Sequence, residues 1–344
     1  MGDVGGVGEY QKLAIKQFPI RALRETAEGR FWKAFKPPTI AQQVGPVTHI
    51  DYMECLPYHF AATSSTRVLV YDPVTQRQKK QFSRFKDIAY CGTFRADGKV
   101  MVAGGATGVV QVFDAGTKSI LRQLKGHQRP VHAVSYTNNT QKVLSGSDDT
   151  TVRLWDVPSG EQALRLTGHT DYVRCIAPSR ASADVFATGS YDHTVRLWDL
   201  RMGKEVMKMD HGSHQVEDVR VFPSGGMLVS AAGNSLFVWD VLGGGRLLRK
   251  LTNHQKAVTV VRLAEEAGPA GLDGAPGMRM VSGSIDGHVK VWELDTFRVT
   301  HASKYPSPVM SLGIAPDGSS LAVGMADGTL SIRRREKRKP GTGV

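Results

Sequence analysis

The stretch GHTDYVRCIAPSRASADVFATGSYDHTVRLWD, residues 168–199, holds one full copy of the unit that decides the fold. Gly168-His169 opens it. Residues 173–176 start a strand, 186–190 a second and 194–198 a third, with a tight turn at Asp192 between the last two. The third strand ends on an aromatic-acid pair, Trp198-Asp199. Working outward, the pair recurs as Trp155-Asp156, Trp239-Asp240 and Trp292-Glu293, and upstream as Tyr71-Asp72 and Phe113-Asp114. From Tyr71 the steps are 42, 42, 43, 41 and 53 residues, and 40 more reach Ile332. Residues 126–155 repeat the same order: Gly126-His127, an alternating strand over 131–136, a second strand, a turn at Asp148-Asp149, and 151–155 as the third strand. Period-2 alternation of this kind is that of half-buried strands. Units of about 40–45 residues, each one four-stranded sheet, stack around a central axis.

This grammar resembles the WD40 repeat, so the expected fold is all-β: a seven-bladed WD40 β-propeller. Units one, two and seven are degenerate; Ile332-Arg333 replaces Trp-Asp in the last. No foldable segment follows the third strand of unit seven, so a fourth strand must come from elsewhere. Aligning 121–129 with the start of the chain puts 37–45 in the equivalent place before unit one. Residues 39–44 are therefore predicted to pair onto the last blade, protecting an open sheet edge. The implied organisation is an N-terminal extension over 1–38, the propeller over 39–333 and a basic tail over 334–344. Unit five is expected to open at His214. Unit six carries about eleven extra residues around 264–277, rich in Gly, Ala and Pro, between its first and second strands; this composition reads as a flexible loop.

The net charge of +12 is unevenly placed. Residues 1–40 carry +3 and 333–344 carry +5, leaving 41–332 with 31 Lys/Arg against 27 Asp/Glu. A uniformly basic propeller is excluded; basic ends on a balanced body suggest an acidic partner, with nucleic acid foremost. No apolar run approaches the roughly 18 residues of a membrane-spanning helix, and the first twenty residues lack the apolar core of a signal peptide. Cys55, Cys91 and Cys175 are scattered, without paired ligand spacing, so neither zinc nor a disulfide is expected, and reduced thiols of an intracellular protein fit better. No cofactor is implied.

His127 with Asp149 and Trp155, and His169 with Asp192 and Trp198, look like acid-base sets. In a blade of this type they are expected to form a structural hydrogen-bond network, because buried polar groups need partners. Gly243-Gly244-Gly245 lacks the following Lys-Ser/Thr of a phosphate loop. No catalytic residue set appears, and no enzyme is expected. Loops before each first strand bring Arg84, Phe85 and Lys86, Arg129, Asp171 and Tyr172, and Lys256 to the narrower face; Tyr191 and His193 join from a turn. Cations interleaved with rings suit single-stranded RNA, a protein hot spot, or an ordinary polar rim. The tail residues Arg333, Arg334, Arg335, Lys337, Arg338 and Lys339 suit a nuclear localisation signal, an RNA-phosphate contact or a solvated linker.

Beyond the repeat, AIKQFPI (14–20), SRFKDIAYCGTFRADGK (83–99), DYVRC (171–175), GSYDHTVRLWD (189–199), FPSGGMLVSAAGN (222–234) and VGMADGTLSI (323–332) are similar to the U3 small nucleolar RNA-associated WD-repeat subunits of the UtpA (t-Utp) subcomplex. The likeness runs from about residue 13 to 334. It implies a nucleolar, non-enzymatic scaffold of the small-subunit processome, supporting pre-rRNA transcription and 18S processing for the 40S ribosome. Implied partners are other UtpA subunits, the pre-rRNA 5′ external transcribed spacer and U3 snoRNP components, with no membrane and no small-molecule substrate. It also implies that the tail begins a linker to a helical C-terminal domain lacking here. The competing expectation rests on Trp198-Asp199-Leu200-Arg201, which resembles the motif by which some WD40 substrate receptors dock on the adaptor of cullin-4 ubiquitin ligases.

Overall fold

A computed structural model describes residues 27–138, 140–265 and 278–335. Seven four-stranded antiparallel sheets account for every strand among them. Blade 4 is representative: Val173–Pro178, Phe186 within Val185–Ser190, Thr194–Asp199 and Lys204–Asp210, hydrogen-bonded in chain order from the axis outward. Blades 1, 2, 3, 5 and 6 repeat this order over 47–82, 89–124, 131–166, 216–251 and 258–304.

Burial follows position in the blade. Second strands such as Lys142–Ser147 and Ser320–Met325 are buried along nearly their whole length, because both faces meet a neighbouring blade. Fourth strands such as Gln162–Leu166 are largely exposed. The apolar core is accordingly divided into seven clusters, one at each blade-to-blade junction. One joins Val195 and Leu197 of blade 4 to Val216 and Leu228 of blade 5. Another joins Val47 and Phe60 of blade 1 to Ala322 and Ile332 of blade 7, which closes the circle. Close approach of neighbours explains a repeated glycine near the end of second strands. A Cβ on Gly146 would stand 2.7 Å from Val173 Cγ1 of the next blade, and one on Gly189 2.6 Å from Val216 Cγ1; no side chain fits there without displacing the neighbouring strand.

Blade 7 is completed across the termini. Val309–Ile314, Ser320–Met325 and Thr329–Arg334 supply three strands, and Thr39–Gln42 the fourth. Thr39 stands opposite Ile332 and Gln42 opposite Thr329. The fold is the expected one, a seven-bladed β-propeller with its last blade closed by an N-terminal strand; the paired strand ends at Gln42, two residues short of the predicted 44.

Two boundaries shift. The strand carrying Arg333 and Arg334 continues to Arg334, and Arg335 bridges Phe35, so these three arginines belong to blade 7 and its flank instead of a free tail. The reason is local: the chain from 35 to 42 offers backbone partners along the whole strand. Lys36 N–H donates to Arg334 O at 2.9 Å. The other shift lies in the N-terminal extension, where the helix Ala27–Lys33 docks on the outer strand of blade 6. Phe31, Trp32 and Phe35 join the core cluster of blades 6 and 7. Trp32 stacks on His301 with centroids 5.7 Å apart, while Arg279 and Arg335 place their guanidinium carbons 3.9 and 4.2 Å from the Phe31 centroid. The 266–277 insertion and Lys337, Arg338 and Lys339 lie outside the described residues; the flanking strands Val258–Glu265 and Met278–Ser284 place that insertion between the first two strands of blade 6.

Candidate protein and nucleic-acid interface

The histidine sets form relays inside blades. In blade 3, His127 Nδ1 lies 2.7 Å from Asp149 Oδ2 and its Nε2 2.7 Å from Ser145 Oγ; Trp155 Nε1–H donates to the same hydroxyl at 2.8 Å. Blade 4 repeats this with His169, Asp192, Thr188 and Trp198, and blade 6 with His254, Asp286, Ser282 and Trp292. A carboxylate only accepts and an indole only donates. A neutral imidazole therefore carries its proton on Nδ1 and accepts the hydroxyl at Nε2. Burial would raise the Asp149 carboxyl, but the hydrogen bonds from His127 and Thr151 outweigh it and hold it well below the usual carboxylate range. Asp192 is held down in the same way by His169 and Thr194. Each relay fastens an entry loop to the second and third strands, with the imidazoles of His127, His169 and His254 buried.

Blade 5 corrects one expectation. The relay histidine there is His211, not His214: its Nε2 lies 2.6 Å from Ser230 Oγ, which also accepts from Trp239 Nε1–H. The dipeptide is His211-Gly212, the reverse of the Gly-His order of blades 3 and 4, which is why the pattern pointed past it. The turn of blade 5 brings no carboxylate, and burial pushes His211 down to about 4.

The rim residues share one face, since entry loops and second-to-third-strand turns meet there: Tyr191 N–H donates to Tyr172 O, and Ile285 N–H to Ala257 O. Tyr172 and Tyr191 come together, with centroids 6.2 Å apart, and Arg174 stacks over Tyr191 at 5.0 Å. The remainder are dispersed. Arg84 and Lys86 stand exposed at the entry to blade 2, Arg129 at blade 3 and Lys256 at blade 6. Phe85 is turned inward against Phe113, 5.5 Å between centroids, and belongs to the core between blades 1 and 2. His193 occupies a turn with φ 68°, where its backbone carbonyl accepts from His211.

Sequence reasoning passed over the residues that line the axis. Every first strand carries a register shift after its first residue, as between Val131 and Ala133 or Val173 and Cys175. The bulged residues Tyr90, His132, Arg174 and Glu217 line a central cavity of about 260 Å³, with Asp218 and Arg262 below them. A bulge re-aims a side chain, so the recoverable signal was the position directly after the first residue of each unit. His132 packs on Tyr90 at 4.1 Å and lies 3.0 Å from Asp148 Oδ2. Tyr191 Oη donates to Glu217 at 2.9 Å. Deeper in, Asp218 accepts from Arg262 and from the Val261 N–H at 3.0 Å. Burial, with Arg262 and Arg220 adding to it, pushes His49 down to about 3, and burial lifts Asp51 to about 6. Cations and carboxylates neutralise one another here, so the axis binds the blades together polar group to polar group. Among the described residues no cluster of His, Cys, Asp and Glu is arranged to hold a metal ion.

Arg201 lies at the opposite end of blade 4, two-thirds exposed, with its guanidinium held by Asp199 at 2.8 and 3.2 Å. The fork that a docking partner would engage is thus already turned onto its own blade.

Matches to the WD domain, G-beta repeat family cover residues 118–156, 160–199, 245–293 and 296–333. The chain is 45% identical over 336 residues to the U3 small nucleolar RNA-associated protein 15 homolog of Xenopus laevis, covering 97% of this chain and 63% of that protein. It is 43% identical to U3 small nucleolar RNA-associated protein 15 of Schizosaccharomyces pombe, covering 98% and 66%, and 42% identical to the Homo sapiens homolog, covering 95% and 61%. The chain thus spans somewhat under two thirds of the length of the relatives it matches. It is a seven-bladed β-propeller with WD repeats in those four stretches, similar along nearly all of its length to the U3 small nucleolar RNA-associated protein 15 homologs.

Proposed function

We propose that this chain is a non-enzymatic scaffold subunit of the small-subunit processome. It acts in the nucleolus within a UtpA-type assembly, holding partner subunits and the 5′ external transcribed spacer of pre-rRNA so that transcription and 18S rRNA processing proceed. The observation that carries this reading is the 45% identity over 97% of the chain to a U3 small nucleolar RNA-associated protein. It extends through residues 83–99 and 171–175, entry loops with the strands they lead into, whose residues blade architecture alone does not dictate. The chemistry is consistent with it: the buried histidine-carboxylate pairs serve the blades, and the exposed features are loops, rings and cations suited to binding. Crosslinking with mass spectrometry of the complex purified through this chain tests the proposal. Crosslinks to processome proteins and to spacer RNA are expected; a purified complex devoid of both refutes it.

A further inference from the structure

The charge of the propeller is sorted by strand. The fourth strands of blades 1 to 6 carry ten Lys/Arg against two carboxylates. The rest of 41–332 then holds 21 against 25, a net negative body inside a positive wall. Edge protection explains why outer strands are charged, since charges discourage strand addition. It does not require that nearly all be positive. Basic side chains are most numerous on adjacent blades 4 and 5, where Lys204, Lys208, Arg246, Arg249 and Lys250 are all exposed. Both carboxylates of the outer strands lie on blade 4: Glu205 is paired with Arg196, and Asp210, still charged, accepts from the Gly212 N–H at 2.7 Å. Lys204, Val206 and Lys208 share one face of their strand, as the alternating exposure shows. The opposite candidate, the rim, sets Asp148, Asp171 and Glu217 beside its cations, so its charge is balanced.

We infer that the outer wall of blades 4 and 5 is a docking surface for the sugar-phosphate backbone of helical RNA. This rests on the reading of the chain as a pre-rRNA-binding scaffold and locates the contact on the flank instead of the rim. Helical RNA fits better than single strands because neither outer strand, Lys204–Asp210 or Arg246–Leu251, carries an aromatic side chain on which an unstacked base could lie. Duplex RNA is held through phosphate and 2′-hydroxyl contacts that need no such platform.

The test uses the 344-residue chain and a fluorescein-labelled 20-base-pair RNA duplex in anisotropy titrations from 50 to 200 mM salt. The neutral variant Lys204→Gln, Lys208→Gln, Arg246→Gln, Arg249→Gln, Lys250→Gln is expected to melt as the parent does, since all five side chains are exposed. It should bind at least tenfold more weakly, with the salt slope shallower by about 0.9 per lost phosphate contact. The rim variant Arg84→Gln, Lys86→Gln, Arg129→Gln, Lys256→Gln should bind as the parent. If the rim variant loses binding and the wall variant keeps it, the location is wrong while direct RNA contact stands. If the parent binds poly-L-glutamate through the five residues and ignores RNA at 50 mM salt, the wall serves an acidic protein; the inference and the RNA part of the function fall together. Binding to neither polyanion overturns both as well.

Discussion

Replacing Ser145 by alanine probes the relays most sharply. Its hydroxyl is fully buried and joins two partners, accepting from Trp155 Nε1–H and donating to His127 Nε2. Alanine orphans both, in a site whose indole is 1% exposed. A buried polar group without a partner costs about 1–3 kcal/mol, so two cost about 2–6 kcal/mol. At roughly 2 °C per kcal/mol for a chain of this size, the melting temperature should fall by about 4–12 °C. Trp155→Phe separates this effect from simple loss of packing. That change costs stability by itself through the missing volume, but it removes the indole N–H that Ser145→Ala would orphan. The double variant should therefore be more stable than the sum of the singles by about 1–3 kcal/mol, measured as a coupling energy from urea unfolding midpoints. Ser145→Ala within 1 °C of the parent, or strict additivity in the cycle, would refute the relay as a source of stability.

Three further outcomes are expected. Removing residues 1–45 strips the fourth strand from blade 7 and the aromatic patch from blades 6 and 7, and should yield a chain that aggregates or melts sharply lower, read by size-exclusion chromatography and calorimetry. Asp51, raised to about 6 by burial, favours its neutral form in the fold; the stability this adds is complete below the unfolded value of about 3.9 and is lost as pH climbs through 6. Asp51→Asn should match the parent at pH 4 and exceed it at pH 8, by at most about 3 kcal/mol in urea titrations. Asp149 and Asp192 are shifted the other way. Their contribution is present above about pH 4 and disappears as pH falls below it, so Asp149→Asn, less stable at pH 7, should show a flatter loss of stability between pH 4 and 2.

The blade count, the order of strands and the closure by the N-terminal strand were legible because each is written as a period. Aromatic-acid pairs mark the ends of third strands, and a ring leaves an unmatched edge that arithmetic reveals. The relays were legible for the same reason wherever Gly-His precedes the strand. Most of what escaped had no period. The helix Ala27–Lys33 is too short to show an amphipathic repeat, and its Trp32 finds a place only because His301 and the end of blade 7 happen to form a socket. Arg333 and Arg334 read as tail because charge is conspicuous in sequence, whereas the backbone of residues 36–42 that captures them is not. Phe85, placed among exposed cations, was drawn inward by Phe113. Bulged residues such as Arg174 and Glu217 escaped because a one-residue insertion shifts the alternation by which strand faces are assigned.

The pairing of Gln42 with Thr329 has a consequence for how the chain is made. The two residues, hydrogen-bonded at 3.1 Å, are 287 positions apart. At a translation rate of about 5–20 residues per second, the first partner emerges some 15 to 60 seconds before the second exists. During that interval six blades can assemble in order behind the ribosome while the seventh stays incomplete. The newborn chain therefore exposes both a loose N-terminal strand and an open flank on blade 1. A chaperone holding that segment until synthesis ends would make the pairing of the two ends the final, locking step.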